Sequence, residues 1–207
     1  MNPFETDEVQ RYTIRDTLDY QPIADLRHAA DVLIRDAKSH PAGSHYKWMG
    51  AIMFLASTVE AFCQTLGPEL LENWAARKNP IERSTGPFKK LELIANKAGI
   101  TPQLDMTPWK DIQEIFNARN NFAHPKPATH SSICIVECRY DELAQRSAEA
   151  IRQFRFPLLS EAAVDAAAEA VDEVLFEVWC ALGREKRNLY RHGTSIGSWS
   201  LTKADDF

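Results

Sequence analysis

The distribution of glycine constrains this 207-residue chain most: it has eight glycines, none before Gly43 and none between Gly99 and Gly183. Long glycine-free stretches rich in Ala, Leu, Glu and Arg favour helix, because these side chains lose little rotamer freedom on a helical backbone. Apolar spacing agrees. Ile23, Leu26, Ala30, Leu33, Ile34 and Ala37 recur at helical intervals, as do Trp48, Ile52, Leu55, Val59, Phe62 and Leu66. Pro41-Ala42-Gly43 between them predicts a helix–turn–helix connection.

Further helices are expected over 68–77, 88–98 with Gly99 as C-terminal cap, 107–124, 141–154 and 160–182. Thr107 and Pro108 fit the N-cap and first-turn positions of the fifth, which Pro125 ends. Ser160 and Asp165 suit the start of the last. Ile133 to Val136 resembles a short strand but has nothing obvious to pair with. The expectation is an all-α bundle of about seven helices: a domain over 22–183, with polar extensions over 1–21 and 184–207.

Charge and cysteine bound the environment. Lys plus Arg number 24 against 29 Asp plus Glu, a net of −5, so indiscriminate coating of nucleic acid is excluded and only local patches could bind it. The acidic N-terminus lacks a signal-peptide core, and the longest apolar run, 48–56, is short of a membrane span. Cys63, Cys134, Cys138 and Cys180 form no Cys-x-x-Cys pair. They read as reduced thiols in a cytoplasm. P-loop and His-Glu-x-x-His patterns are missing, and neither metal nor cofactor is expected. Gly193-Thr-Ser-Ile-Gly197 matches a nucleophile-elbow string but has no histidine after it.

The informative segment runs from Thr107 to Pro127. Ile112, Ile115, Phe116, Phe122 and Ala123 stand at offsets 0, 3, 4, 10 and 11, so the apolar stripe's position at offset 7 is Arg119. A guanidinium there must be paired, face an interface, or extend outward along its aliphatic stem. Other Arg–His strings, at Arg35–His40 and Arg187–His192, lie off any apolar stripe. Glu60 intrudes on the apolar helix 51–66 in the same way. It is expected either to pair with Arg119 or to sit at the helix surface. Asn120 precedes His124 by four residues, on nearly one face, where its amide could fix the imidazole tautomer.

Val-Glu60-Ala within its helix, Pro87-Phe-Lys-Lys-Leu-Glu-Leu-Ile, and Arg119-Asn120-x-x-x-His124-Pro-Lys126-Pro together resemble the HEPN superfamily, the higher eukaryote and prokaryote nucleotide-binding domain. The resemblance spans residues 23–180 in helix order, but only Arg119 to Pro127 is specific. It implies a homodimeric bundle with two motifs meeting across a two-fold axis. In many members it also implies a metal-independent endoribonuclease of conflict systems, held by a cognate antitoxin; other members bind nucleotides or only interact. RNA cleavage would assign His124 as base, Arg119 as cation and Asn120 as tautomer-fixing residue, with Glu60 supporting. Lys89, Lys90 and Lys126 would contact RNA, within a span 77–97 carrying six basic and two acidic residues. Arg184 to His192 forms a second basic stretch, and the acidic helix 160–182 should avoid RNA.

Overall fold

The computed structural model describes residues 12–14, 22–124, 137–143, 145–146, 158–190 and 201–203. Contacts divide the chain into two units. The larger, Pro22–Arg191, holds α1 (Pro22–Ser39), α2 (Ser44–Leu70), α3 (Ile81–Ser84), α4 (Pro87–Lys97), α5 (Trp109–Ala123) and α6 (Glu161–Ala181). The other contains a short antiparallel pair, β1 (Tyr12–Ile14) with β2 (Leu201–Lys203), in the register Thr13 opposite Thr202.

α2 is the hub. It packs against α1, α4, α5 and α6, because its apolar residues surround it rather than forming one stripe. Ile52, Leu55, Val59, Phe62 and Leu66 are completely buried, each stabilising the bundle by about 1.5–3 kcal/mol. By length and hydropathy α2 could also cross a membrane, although 56% of its most apolar window is buried inside the bundle. α1 runs back along α2 after the turn at Gly43, whose φ of 72° suits glycine. Gly99 ends α4 in the same left-handed region, at φ 84°. The Ser160 side chain accepts from the Ala163 N–H at 3.3 Å, capping α6 as its sequence predicts.

Several expectations are corrected. No separate helix covers 68–77: α2 runs through Pro68 to Leu70, and residues 71–80 turn back to the short α3. Proline lacks the N–H owed to Gln64's carbonyl, yet one further turn closes with Leu71 N–H on the Gly67 carbonyl at 2.9 Å. The reversal is set by Trp74, whose ring lies where a Gly67 Cβ would be, 2.3 Å from it. α5 begins at Trp109, so Thr107 is not its N-cap; the Met106 carbonyl accepts from Lys110 N–H at 2.9 Å instead. Most of the helix expected over 141–154, and the strand-like 133–136, lie outside the described residues.

The domain extends past 183. Leu189 is wholly buried, and Trp179 Nε1 donates to the Glu185 carbonyl at 2.9 Å. Asp172 on α6 accepts from Arg27 through both oxygens, at 2.8 Å each, and from the Tyr190 hydroxyl at 2.6 Å. Arg27 also pairs with Asp31. These carboxylates hold Arg27 more firmly protonated than usual despite its burial, while burial and the neighbouring Asp172 raise the Tyr190 hydroxyl's pKa. One network thus ties α1, α6 and the chain's exit together.

Candidate functional site

α2 and α5 cross so that the two polar intruders meet. An Arg119 Nη2 donates to Glu60 Oε1, forming the ion pair that the two interrupted apolar stripes predict. Neither side chain is fully buried: 24% of Arg119 and 32% of Glu60 remain exposed. A half-desolvated pair holds its orientation better than a surface one without the full cost of burying both ions. Ile112, Ile115 and Phe116, completely or almost completely buried, fix α5 on the core one and two turns before Arg119.

Asn120 acts differently from its predicted role. Its Oδ1 accepts from Arg119 Nη1 at 2.9 Å, and among the described residues no hydrogen bond joins its amide to the His124 imidazole. The guanidinium is braced from two sides, by a carboxylate and an amide oxygen. His124 caps the C-terminus of α5, its N–H on the Asn120 carbonyl at 2.9 Å, and its side chain is exposed. Ala123 is exposed too and Phe122 only partly buried, so the apolar stripe fades where the motif ends.

The proposed RNA contacts fare unevenly. Lys90 is buried, 8% exposed, and its ammonium donates to the Glu82 carbonyl at 2.6 Å beside the Trp74 ring; it is not a surface phosphate ligand. Its position on α4 follows the core stripe of Leu91, Ile94 and Ala95, which brings its stem inward. Lys89 is exposed but paired with Glu92 on the same helix. Lys126 lies outside the described residues. Arg77, Lys78, Arg83 and Lys97 remain as exposed cations. The second basic stretch is mostly engaged within the fold: Arg184 pairs with Glu69 and stacks 4.6 Å from the Trp179 ring, Lys186 sits 4.4 Å over Phe176, and Arg187 pairs with Glu185.

A cleft of about 260 Å³ opens beside the ion pair, lined by Glu60, Ala61, Gln64, Pro87 and Lys90. A larger hollow of about 390 Å³, between the end of α2 and the 71–76 turn, holds none of the motif residues. Cys63 lies buried one turn beyond Glu60 on α2, and burial together with the Glu60 charge pushes its thiol up to about 12 even though the Lys90 charge opposes them. Among the described residues no group of three or more His, Cys, Asp or Glu could hold a metal ion.

No family model, curated protein or solved structure matches this chain.

Proposed function

We propose that this protein is a HEPN-type, metal-independent endoribonuclease acting in the cytoplasm as a homodimer, within a toxin–antitoxin or phage-defence system. The observation that carries the reading is the cluster of Glu60 on α2 with Arg119 and Asn120 on α5, whose C-terminus ends in an exposed His124. RNA contains its own nucleophile, so cleavage needs a base, a cation and alignment. His124 accepts the 2′-hydroxyl proton as the 2′-oxygen attacks phosphorus, and the bond from phosphorus to the 5′-oxygen breaks. The leaving oxygen takes its proton from solvent water, so one His124 and one Arg119 suffice for each cleavage. Arg119, held by Glu60 and Asn120 with N–H donors to spare, stabilises the charge gathering on the phosphoryl oxygens. The products are a 2′,3′-cyclic phosphate and a 5′-hydroxyl.

On an ideal helix, five residues separate Arg119 from His124 by about 140°. One subunit does not aim both groups at one phosphate, and a two-fold partner supplies the missing half. A non-catalytic nucleotide-binding or interaction module is the second reading, favoured by the commitment of Arg119 to Glu60, which offsets its charge. Incubating the protein with total RNA in EDTA decides between them. Nuclease action gives cyclic-phosphate ends, abolished by His124→Ala and by Arg119→Ala while the helical circular-dichroism signal persists. Cleavage retained in either variant, or lost on adding EDTA, overturns the assignment.

A further inference from the structure

The cleft beside Arg119 has a polar lining of which the proposed catalysis uses only Glu60, as the brace of Arg119. Glu60 and Gln64 are one turn apart on α2 and therefore share a face. One oxygen of Glu60, Oε1, accepts from the Arg119 guanidinium. Its second oxygen is left as an acceptor in a partly exposed side chain. Gln64 contributes an exposed amide, which carries both donors and an acceptor. Lys90 brings a positive charge from α4, fixed by the Glu82 carbonyl and so unable to swing freely into solvent. Ala61 and Pro87 supply apolar surface between them. The volume, about 260 Å³, is just below the range of drug-sized sites, of order 300–1,000 Å³, and suits a single planar ring system.

We propose that this cleft is a nucleobase subsite selective for guanine, next to the phosphate gripped by Arg119. Guanine alone among the four RNA bases presents two adjacent donors, N1–H and the 2-amino group, beside an acceptor, O6. The Glu60 oxygen not committed to Arg119, Oε2, accepts from both donors, which lie side by side, and the Gln64 amide, in the positive field of Lys90, donates to O6. Adenine and cytosine offer a carboxylate one amino group flanked by an acceptor; uracil offers a single N–H between two carbonyls. Each leaves the Glu60 oxygen facing a lone pair, a mismatch that costs about tenfold or more in affinity. The Pro87 ring and Ala61 methyl cover the base faces.

The subsite rests on RNA or a nucleotide being the ligand, and its test is kept separate from cleavage. His124→Ala protein is titrated calorimetrically with GMP, IMP, AMP, CMP and UMP, and GMP is expected to bind about tenfold more tightly than each of the other four. IMP falls with the weaker group because it lacks the 2-amino group. Gln64→Leu in the same background, a surface change whose folding is checked by circular dichroism, should weaken GMP and IMP alike by about tenfold through loss of the donor to O6, while the preference for GMP over IMP, set by Glu60, is kept. Equal affinities for all five, no GMP binding up to millimolar concentration, or undiminished GMP affinity in the folded Gln64→Leu variant overturns the proposal. If GMP selectivity holds while the wild-type protein leaves RNA intact, the nuclease reading fails and the guanine subsite stands. If RNA is cut without GMP selectivity, the reverse is true.

Discussion

At the scale of single residues, the legible features were those where chemistry contradicts position. Arg119 and Glu60 each interrupt an apolar stripe, and a charge can occupy such a place at low cost only beside its opposite; the structure pairs them. The same logic applied to α1 would have found Arg27, four residues after Ile23 and three before Ala30, which is 9% exposed and locked to Asp172. It was hidden because Leu26, its neighbour, completes an equally good stripe on paper but is only partly buried. Lys90 escaped for the opposite reason: a lysine among Lys89, Leu91 and Glu92 looks solvated, and only the return of residues 71–82 puts the Glu82 carbonyl and Trp74 over it. Cysteine reactivity gives a residue-scale prediction. Thiolate is the reactive form, and the Cys63 thiol is buried with its pKa pushed up to about 12, whereas Cys180 is exposed. With Ellman's reagent at pH 8 the native protein should lose one rapidly reacting equivalent on Cys180→Ser and none on Cys63→Ser. A rapid phase that shrinks in Cys63→Ser would show that α2 opens readily at that point.

Among elements, the long helices and the ends marked by Gly43, Gly99 and Ser160 were legible, whereas the end of α2 and the start of α5 were not. The stripe of α1 names most of its core, because burial on one face imposes the 3.6-residue period, while α2 is packed on several sides and its apolar residues run all round it. The end of α2 defeats such reasoning. Pro68 reads as a boundary, but a proline near a helix end leaves only one carbonyl without its usual donor, and packing around it decides whether another turn forms. Here that packing is Trp74 against the bare Cα of Gly67. Gly67→Ala would set a methyl within 2.3–2.5 Å of three indole carbons, a rigid ring that cannot step aside alone. Gly50→Ala meets only the Leu33 Cδ1 at 2.8 Å, the flexible tip of a partly buried side chain. Overpacking costs about 1–3 kcal/mol, and in a chain this size each kcal/mol moves Tm by about 2–4 °C. Gly67→Ala should therefore lower Tm by several degrees, and Gly50→Ala by clearly less. A reversed order in thermal melts would show that the 71–80 turn relaxes away from α2 and that Trp74 does not hold the reversal.

For the molecule as a whole, charge is arranged so that the acidic helix faces α1. Lys38 reaches Asp165 at 2.7 Å and Glu161 at 3.8 Å, and Arg27 takes Asp172, so part of the negative charge of α6 is offset internally. Among the described residues the Arg119–His124 end of α5 has no acidic partner besides Glu60, so it is the more hospitable surface for the proposed phosphate. The decisive whole-molecule question is whether that end works alone. If Arg119 and His124 act on one phosphate only when contributed by two subunits, mixing two inactive proteins should restore activity. His124→Ala retains Arg119, and Arg119→Ala retains His124, so a mixed dimer holds one intact copy of each. After unfolding and joint refolding at equal amounts, about half the dimers are mixed. Each mixed dimer keeps one of its two symmetry-related Arg119–His124 combinations, so cleavage should then reappear at about a quarter of the wild-type rate, whereas either variant refolded by itself stays inactive. Size-exclusion chromatography with light scattering shows whether dimers formed. Mixed dimers that form without recovering activity would mean that each site lies within one chain, and the 140° separation along α5 would then have to be bridged by a bend beyond His124 rather than by a second subunit.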